Sequence, residues 1–262
     1  MLRHGIYDNQ FKFNSTSSAL LNIYETNKHS QNGEDGVIAE ILLRLGLIDA
    51  SDSWCVEFGA WDGVYLSNTF TLVEMGWKGI YIEGNPDRFQ ELLQTVKKFP
   101  RITPIRAFVN KRSSSRNSLD NLLSKTGIPK DFHLLSIDVD SYDFDIWKSL
   151  KNYAPKIVVI EINSSVAPGI LWTHGYKTPG NTFTSTVRLG IDKGYKLVCH
   201  TGNLIFVRND LVSKLNIQEK YLNNPNLLFM NSWTREGLYS HSRFGTGRVL
   251  KVKGFFREIF RI

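Results

Sequence analysis

Short β-type runs alternate with helical runs along most of the chain, and this alternation constrains the fold more than any other feature of the sequence. The first run is Trp54 to Phe58, and the last before the pattern changes is Lys156 to Ile162. A chain that alternates strand and helix builds βαβ units, whose strands lie parallel in one sheet. The sequence therefore predicts an α/β domain around a mostly parallel sheet.

Hydrophobic spacing and turn residues place the remaining elements. An opening helix is expected over 36–47, where apolar residues recur at helical spacing. Further strands are expected at 79–82, 102–108 and 134–137, and helices at 67–75, 86–98, 119–125, 144–151 and 182–193. Two last β-type runs, Tyr195 to His200 and Leu204 to Arg208, flank Thr201-Gly202-Asn203, which predicts an antiparallel hairpin at the edge of a seven-stranded sheet.

Composition excludes several classes of protein. Of the 262 residues, 42% are hydrophobic, which is enough for a packed core and excludes a disordered or fibrous chain. The longest strongly apolar run, Ile157 to Ile160, is far shorter than the roughly 20 residues of a membrane span, so a cytoplasmic protein is expected. The net charge of +7 favours anionic partners such as a phosphorylated or nucleotide-linked compound, and no nucleic-acid partner is predicted.

A glycine-rich turn follows the first strand, in an E-x-G-x-x-x-G pattern that runs from Glu57 to Gly63 and includes Gly59. Glycines there let the backbone approach a ligand at the carboxyl edge of the sheet. Twenty residues past Gly63, the second strand ends in Glu83, from which a carboxylate can bind both hydroxyls of a ribose. A carboxylate at Glu57 would repel a pyrophosphate and attract a cationic sulfonium, which favours S-adenosylmethionine over a dinucleotide.

Several blocks of sequence in the same order resemble the FkbM-like S-adenosylmethionine-dependent methyltransferases, in particular their bacterial branch associated with surface polysaccharides. The blocks are SQNGEDG (30–36), VEFGAWDGVYLSNT (56–69), GIYIEGNP (79–86), LLSIDVDSYDFDIWKSL (134–150), IVVIEIN (157–163) and FVRNDL (206–211). The resemblance implies a Rossmann-like class I methyltransferase fold over residues 30–211. It leaves an N-terminal extension, 1–29, and a C-terminal helical and basic extension, 212–262, packed on the domain or on a partner.

The resemblance also implies roles for individual residues around the cofactor. Gln31 and the acidic pair after it, which begins at Glu34, would form a lid over the methionine end of the cofactor. The turn from Gly59 to Gly63, with Ala60 and Asp62 inside it, would lie beneath the cofactor. Glu83 would bind the ribose, and Asn110 would contact the adenine. The segment Asp140-Ser141-Tyr142-Asp143-Phe144 departs from the D-G-N-D-Y pattern that is commoner after the fourth strand, which leaves the turn there open.

Carboxylates gather after the fourth and fifth strands. Asp138 ends the fourth strand, and Glu161 and Asn163 end the fifth, so their side chains can converge beside the glycine turn. Three such oxygen ligands would suit Mg²⁺ or Mn²⁺, as in metal-dependent O-methyltransferases. Alternatively, Asp138 orients the ammonium group of the cofactor or the hydroxyl to be methylated, while Asp143 and Asp145 cap the next helix. Asp138 is a catalytic candidate in both cases.

Two histidines are candidates for the base that takes a hydroxyl proton. His174 is favoured because it lies in the long loop after the fifth strand, and His200, at the end of the sixth strand, is the weaker candidate. Four aromatic residues are expected to form a stacking wall for a sugar ring, namely Trp61, Trp172, Tyr176 and Phe183.

The sequence thus predicts a methyltransferase that moves the methyl group of S-adenosylmethionine to an oxygen of a sugar or sugar nucleotide. Two alternatives stay open: an NAD-dependent enzyme that modifies nucleotide sugars, disfavoured by Glu57 and by the absence of a Tyr-x-x-x-Lys pair, and a binding protein that has lost the chemistry. The basic stretch Arg243 to Ile262 is compatible with peripheral membrane contact, with packing on its own domain and with a homo-oligomer.

Overall fold

A computed structural model gives the structure of the chain, and it describes residues 20–48 and 52–233. Within them the strands are β1 (Trp54–Phe58), β2 (Lys78–Glu83), β3 (Ile102–Arg106), β4 (Leu134–Ile137), β5 (Ile157–Glu161), β6 (Tyr195–His200) and β7 (Asn203–Arg208). They form one seven-stranded sheet in the order β3-β2-β1-β4-β5-β7-β6. Strands β1 to β5 are parallel, whereas β7 is antiparallel to both of its neighbours. The predicted α/β fold, a mostly parallel seven-stranded sheet that ends in an antiparallel hairpin, is confirmed.

Helices cover both faces of the sheet. They are α1 (Glu34–Leu45), α2 (Phe70–Glu74), α3 (Pro86–Lys98), α4 (Leu119–Leu123), α5 (Asp143–Ser149), α6 (Phe183–Asp192) and α7 (Glu219–Asn223). Helices α1 to α3 pack on one face around residues such as Leu42 and Tyr81, and α4 to α6 pack on the other around Trp147 and Phe206. Such a core on each face is what near-continuous apolar strands require.

Local sequence determines where several helices begin and end. Asn85 accepts hydrogen bonds from two backbone amides of α3, and Pro86 occupies the first helical position, where its missing N–H costs nothing. Helix α6 begins in the same way, because the Thr182 side chain accepts a hydrogen bond from the amide of Ser185. The helix predicted over 67–75 begins only at Phe70, since the residues before it bind a buried carboxylate described below.

The strand arrangement gathers five loops at one side of the sheet, which we call the carboxyl edge. These loops are 59–69, 84–85, 107–118, 138–142 and 162–182, and each follows one of the parallel strands. Strands β1 and β4 are neighbours although β2 and β3 lie between them in sequence. The crevice beyond such a reversal of strand order is the usual ligand site of an open α/β sheet.

The described parts of both predicted extensions pack on the domain. Leu21 is buried in the core, and the Asn22 side chain donates to the backbone carbonyl of His200 at 2.9 Å. Leu228 is also buried. Residues 1–19 and 234–262, including the basic stretch Arg243 to Ile262, lie outside the described residues. Within residues 20–48 and 52–233, no helix is long and apolar enough to cross a membrane.

Candidate active site

Both glycines of the turn after β1 have left-handed backbone conformations, with φ values of 78° at Gly59 and 83° at Gly63. A Cβ at Gly59 would collide with the backbone carbonyl oxygen of Asp138 at the end of β4. At Gly63 it would meet the Leu92 side chain on α3 at 2.8 Å. Close packing of the turn on β4 and α3 therefore requires these glycines, so the glycines alone do not indicate a ligand.

Backbone amides of this turn are directed into the protein. Gly59 and Ala60 donate to the carbonyl of Ile82 at 3.1 and 3.3 Å. The Asp62 carboxylate accepts from the two amides that follow Gly63, at 2.7 and 2.8 Å, so Asp62 shapes the turn and is not free to bind the cofactor through that oxygen. A phosphate held by a glycine-rich loop needs such amides. The turn is therefore a poor phosphate cradle.

Glu83, predicted to bind a ribose, lies at the end of β2 beside the glycine turn. One carboxylate oxygen accepts from the Trp61 amide at 2.8 Å, and the other accepts from the Asn85 amide at 2.7 Å. The carboxylate is almost fully buried, so these two bonds fix its orientation. Because each carboxylate oxygen has a second lone pair, Glu83 can still accept hydrogen bonds from two hydroxyl groups of a ligand in the crevice.

Phe108 is a residue that the sequence reasoning missed, because the predicted third strand ran through it. Strand β3 ends at Arg106, and the Phe108 side chain is 72% exposed. Its ring lies so close to Gly84 that a Cβ there would collide with it. An exposed aromatic ring beside the ribose candidate is a platform on which a planar base can stack. Asn110, expected at the adenine, is exposed nearby and accepts a hydrogen bond from the Arg112 amide.

Glu57 is buried and its carboxylate faces α2. It accepts from the Asn68 amide and from the hydroxyls of Ser67 and Thr69, at 2.5 to 2.9 Å. Burial raises its pKa, and these donors oppose that rise. The Glu57 carboxylate therefore holds the segment that leads into α2, and its attraction for a sulfonium stays a prediction.

The segment Ser30 to Gly36 is held by its two acidic residues. Glu34 accepts from the Thr201 hydroxyl and the Asn203 amide group, on the hairpin. Its neighbour Asp35 accepts from three successive backbone amides, those of residues 28 to 30. Both carboxylates are buried, and Glu34 anchors the predicted lid to the hairpin; its place at the cofactor stays a prediction. Gln31 is exposed, which leaves its predicted contact with the cofactor open.

Carboxylates converge between β4 and β5, as predicted, but the set differs. One oxygen from each of Asp138, Asp140 and Glu161 lies within 4.8 Å of the other two. Asn163, predicted as the third metal ligand, is directed away: its amide donates to the Pro179 carbonyl, and its oxygen accepts from the amide and the hydroxyl of Ser165. The Asn163 side chain is thus engaged within the loop after β5, and its role as a metal ligand stays a prediction.

Burial and mutual repulsion raise the pKa values of Asp138 and Glu161 well above the usual range of a carboxyl group. One oxygen of each side chain lies within 4.8 Å of an oxygen of the other, so a proton on either group relieves the repulsion between the two carboxylates. The cluster can therefore balance its charge by holding a proton. Its three oxygen donors also suit Mg²⁺ or Mn²⁺ by chemical type.

The turn after β4, left open by the sequence, is closed by Asp143. Its carboxylate accepts from the amides of Val139 and Ser141 at 2.8 and 3.0 Å, and Asp140 adopts a left-handed φ of 59°. Burial raises the pKa of Asp143 to about 6. The Asp140 amide donates to Glu161 at 3.2 Å, so this turn also orients one member of the carboxyl pair.

His174, the favoured base, contacts the turn after β4 through Tyr142. The two rings meet edge to face with centroids 4.8 Å apart, and the ammonium group of Lys111 lies 3.5 Å from the centroid of the Tyr142 ring. The Nδ1 atom of His174 accepts from the Gly180 amide at 3.2 Å. Because Nδ1 accepts this hydrogen bond, a neutral His174 carries its proton on Nε2. Nδ1 is then the only nitrogen with a lone pair, and the Gly180 amide already binds it.

His200 is a structural residue. Its ring is buried, Nδ1 accepts from the Met230 amide at 2.9 Å, and Nε2 lies 2.9 Å from the Ser164 hydroxyl. Burial lowers its pKa to about 3. Because both nitrogens are engaged inside the protein, His200 connects the C-terminal segment to the loop after β5 and does not act as a base.

The predicted aromatic wall does not form as a unit. Phe183 is fully buried against His200 and Phe229. The Trp61 ring is covered by the guanidinium group of Arg88, whose carbon lies 3.7 Å from the ring centroid. Trp172 is partly buried, and Tyr176 is fully exposed. Only the last two remain candidates for contact with an acceptor.

No protein-family model matches the sequence, and no curated protein matches it. Solved structures with a similar arrangement include the glycopeptide N-methyltransferase MtfA complexed with sinefungin, at 11% identity over 70% of this chain and 88% of that one, with a TM-score of 0.39. The N-terminal domain of EvdMO1, in the presence of SAH and D-fucose, is 13% identical over 70% and 84%, with a TM-score of 0.43. The precorrin-6y C5,15-methyltransferase of Geobacter metallireducens is 16% identical over 71% and 93%, with a TM-score of 0.41. These similarities are too low to assign an activity.

Proposed function

We propose that the chain is an S-adenosylmethionine-dependent methyltransferase that methylates a hydroxyl group of a sugar or sugar nucleotide in surface-polysaccharide biosynthesis. The observation that carries the cofactor assignment is the pairing of Glu83 with Phe108 at the carboxyl edge. Glu83 has lone pairs available for two hydroxyl groups, and Phe108 offers an exposed ring packed against the adjacent Gly84. A ribose joined to a planar base satisfies both groups at once.

A nucleoside without a pyrophosphate fits this crevice better than a dinucleotide does. The amides of Gly59, Ala60 and Trp61 all donate within the protein. The segment that leads into α2, near which a dinucleotide fold usually binds pyrophosphate, is already engaged by the Glu57 carboxylate through Ser67, Asn68 and Thr69. These contacts favour S-adenosylmethionine, which carries no phosphate, over NAD.

The Asp138–Glu161 pair supplies the group that accepts the proton of the hydroxyl. As the acceptor oxygen bonds to the methyl carbon, the bond from that carbon to sulfur breaks and the sulfonium becomes a neutral thioether. The hydroxyl proton then moves to the ionised member of the pair, which regains its proton in this way. A raised pKa makes this carboxylate a stronger base than an ordinary one. Alignment of the oxygen, carbon and sulfur supplies most of the remaining acceleration.

A saccharide acceptor is supported by the sequence resemblance, by the net charge of +7 and by the aromatic side chains of Trp172 and Tyr176 on the loop after β5. The positive charge favours acceptors that carry phosphate or diphosphate, as sugar nucleotides do. Release of S-adenosylhomocysteine should be measured with a panel of sugar nucleotides. Turnover with at least one of them, abolished in Asp138→Asn, would support the acceptor class, and turnover only with amine substrates would contradict it.

A further inference from the structure

Exposed apolar side chains concentrate at the carboxyl edge. Of the ten large apolar residues that are exposed in the described part of the chain, seven lie in loops that follow parallel strands. They are Tyr65, Leu66, Phe108, Tyr142, Ile170, Leu171 and Tyr176. None of the ten lies in the described loops at the opposite edge, 75–77, 99–101, 124–133 and 150–156. Such an asymmetric concentration is typical of a surface that meets a partner.

Two loops of this edge carry positive charge without any acidic residue. Loop 107–118 contains Lys111, Arg112 and Arg116, and loop 162–182 contains Lys177, while neither contains Asp or Glu. All four cations are exposed. We call the exposed side chains of these two loops the basic rim, apart from Phe108 and Tyr176, which the proposed function assigns to the cofactor and to the acceptor. The basic rim complements an anionic partner.

The two loops lie side by side because Tyr142 connects them. Lys111 from the first loop lies over the Tyr142 ring, at 3.5 Å, and His174 from the second packs against the same ring with a centroid distance of 4.8 Å. Lys111 of loop 107–118 and His174 of loop 162–182 therefore meet at one ring, which places the two loops next to each other at the carboxyl edge.

We propose that the basic rim docks the carboxyl edge on the surface of an anionic membrane. Ile170 and Leu171 are 45% and 51% exposed, so they can enter the boundary between lipid headgroups and acyl chains without any rearrangement of the core. The neighbouring cations bind the anionic headgroups. Docking in this orientation turns the active-site crevice toward the membrane. If the proposed function holds, the acceptor sugar is then carried on a membrane lipid.

The test is flotation of the full-length chain with vesicles of phosphatidylcholine alone and with added phosphatidylglycerol. We expect binding only to the anionic vesicles, and we expect Arg112→Gln with Arg116→Gln to weaken the partition about 25-fold, since each cation contributes about fivefold. Ile170→Ser with Leu171→Ser should weaken it about tenfold. Because no cofactor is present, this experiment is independent of the methyl-transfer proposal.

Matched controls lie at the opposite edge of the sheet. Lys97→Gln with Lys98→Gln removes the same charge from the last turn of α3, and Ile191→Ser removes an apolar side chain that is 50% exposed at the end of α6. Both should leave partition within about twofold of wild type. Thermal unfolding confirms that each variant is folded. The proposal would be overturned if the chain did not bind anionic vesicles. It would also be overturned if the rim and control variants lost equal affinity, or if the rim variants bound as well as wild type through another segment.

Discussion

The Glu83 carboxylate accepts a hydrogen bond from the Trp61 amide at 2.8 Å, which joins the end of β2 to the glycine turn after β1. The residue proposed to bind the ribose is therefore held by the same turn that lines the crevice. This contact makes the ribose site preorganised, because the buried carboxylate cannot rotate away without leaving the amide unpaired.

Replacement of Glu83 by Ala should weaken S-adenosylhomocysteine binding by about 1.5 to 3 kcal/mol, through loss of the charge-assisted hydrogen bonds to the ribose. Glu91→Gln is the matched control, because Glu91 accepts from the indole nitrogen of the same Trp61 at 3.0 Å but lies on α3. Calorimetry should show an unchanged dissociation constant for the control. An unchanged constant in Glu83→Ala would place the ribose elsewhere.

Removal of the Phe108 ring should weaken binding of the same ligand by about 0.5 to 1.5 kcal/mol, because stacking on the base is lost. Phe108→Trp should retain the affinity. The control is Tyr176→Ala, which removes another exposed aromatic ring from the carboxyl edge. Should Phe108→Ala and Tyr176→Ala bind equally well, Phe108 does not contact the base.

Gly59→Ala should lower the free energy of unfolding by more than about 2 kcal/mol, since it combines a left-handed backbone with a collision at the Asp138 carbonyl. Gly127→Ala is the control, because a Cβ at Gly127 meets nothing within 4 Å. Urea unfolding measures both. A fully stable Gly59→Ala variant would mean that the turn packs less closely on β4 than the structure shows.

The strand pattern was predictable because buried parallel strands are near-continuous apolar runs, so β1 and β4 begin and end where the sequence places them. The roles of buried polar residues were harder to predict. Glu57 and Asn163 both looked available for ligands, yet their partners, Ser67 to Thr69 and Ser165 with Pro179, are determined by loop geometry that no residue pattern encodes.

Phe108 illustrates the opposite error. An apolar residue at the end of a β-type run is predicted to belong to the strand. In the structure β3 ends at Arg106, which leaves the Phe108 ring exposed. Phe183 was predicted to line a sugar site, but it is buried in the core against His200. Its position at the start of a helix, after a long loop, does not distinguish these two environments.

Acid should destabilise the fold through His200, whose pKa is lowered by burial to about 3, from about 6.5 in the unfolded chain. Between these pH values the unfolded state binds more protons than the folded state. The contribution of neutral His200 to the free energy of unfolding is therefore complete above pH 6.5 and is lost as the pH falls toward 3. His200→Gln should therefore be less stable at pH 7 and should show a smaller loss of stability between pH 6.5 and 4. His133, whose pKa is lowered to about 4, contributes to the pH dependence of stability in both proteins. The effect of His200 is therefore the difference between the stability curves of the wild type and the variant. Parallel stability curves for the two proteins would contradict the assignment.

Asp138→Asn and Glu161→Gln should each lower kcat by about 100-fold or more while leaving S-adenosylhomocysteine affinity nearly unchanged, because the pair acts on the acceptor proton. Since the pKa of the pair is raised, wild-type kcat should rise with pH as the base ionises. Asp145→Asn, on α5, is the control. Loss of cofactor affinity alone in Asp138→Asn would confine Asp138 to holding the methionine end.

Treatment with a chelator distinguishes two ways in which the carboxylate cluster can balance its charge, namely a bound proton and a bound divalent cation. If the cluster holds a proton, activity should survive exhaustive EDTA treatment. Loss of activity in EDTA, restored by Mg²⁺ or Mn²⁺, would instead assign Asp138, Asp140 and Glu161 as metal ligands. Glu161→Gln should then raise the concentration of metal needed for activity.

The most direct test of the cofactor assignment is parallel calorimetric titration of the wild-type chain with S-adenosylhomocysteine and with NAD. The amides of the glycine turn already donate within the protein, and Glu57 engages the segment that leads into α2. We therefore expect saturable one-to-one binding of S-adenosylhomocysteine and no heat of binding with NAD. Binding of NAD in preference to S-adenosylhomocysteine, or of neither, would contradict the proposal that this chain is a methyltransferase.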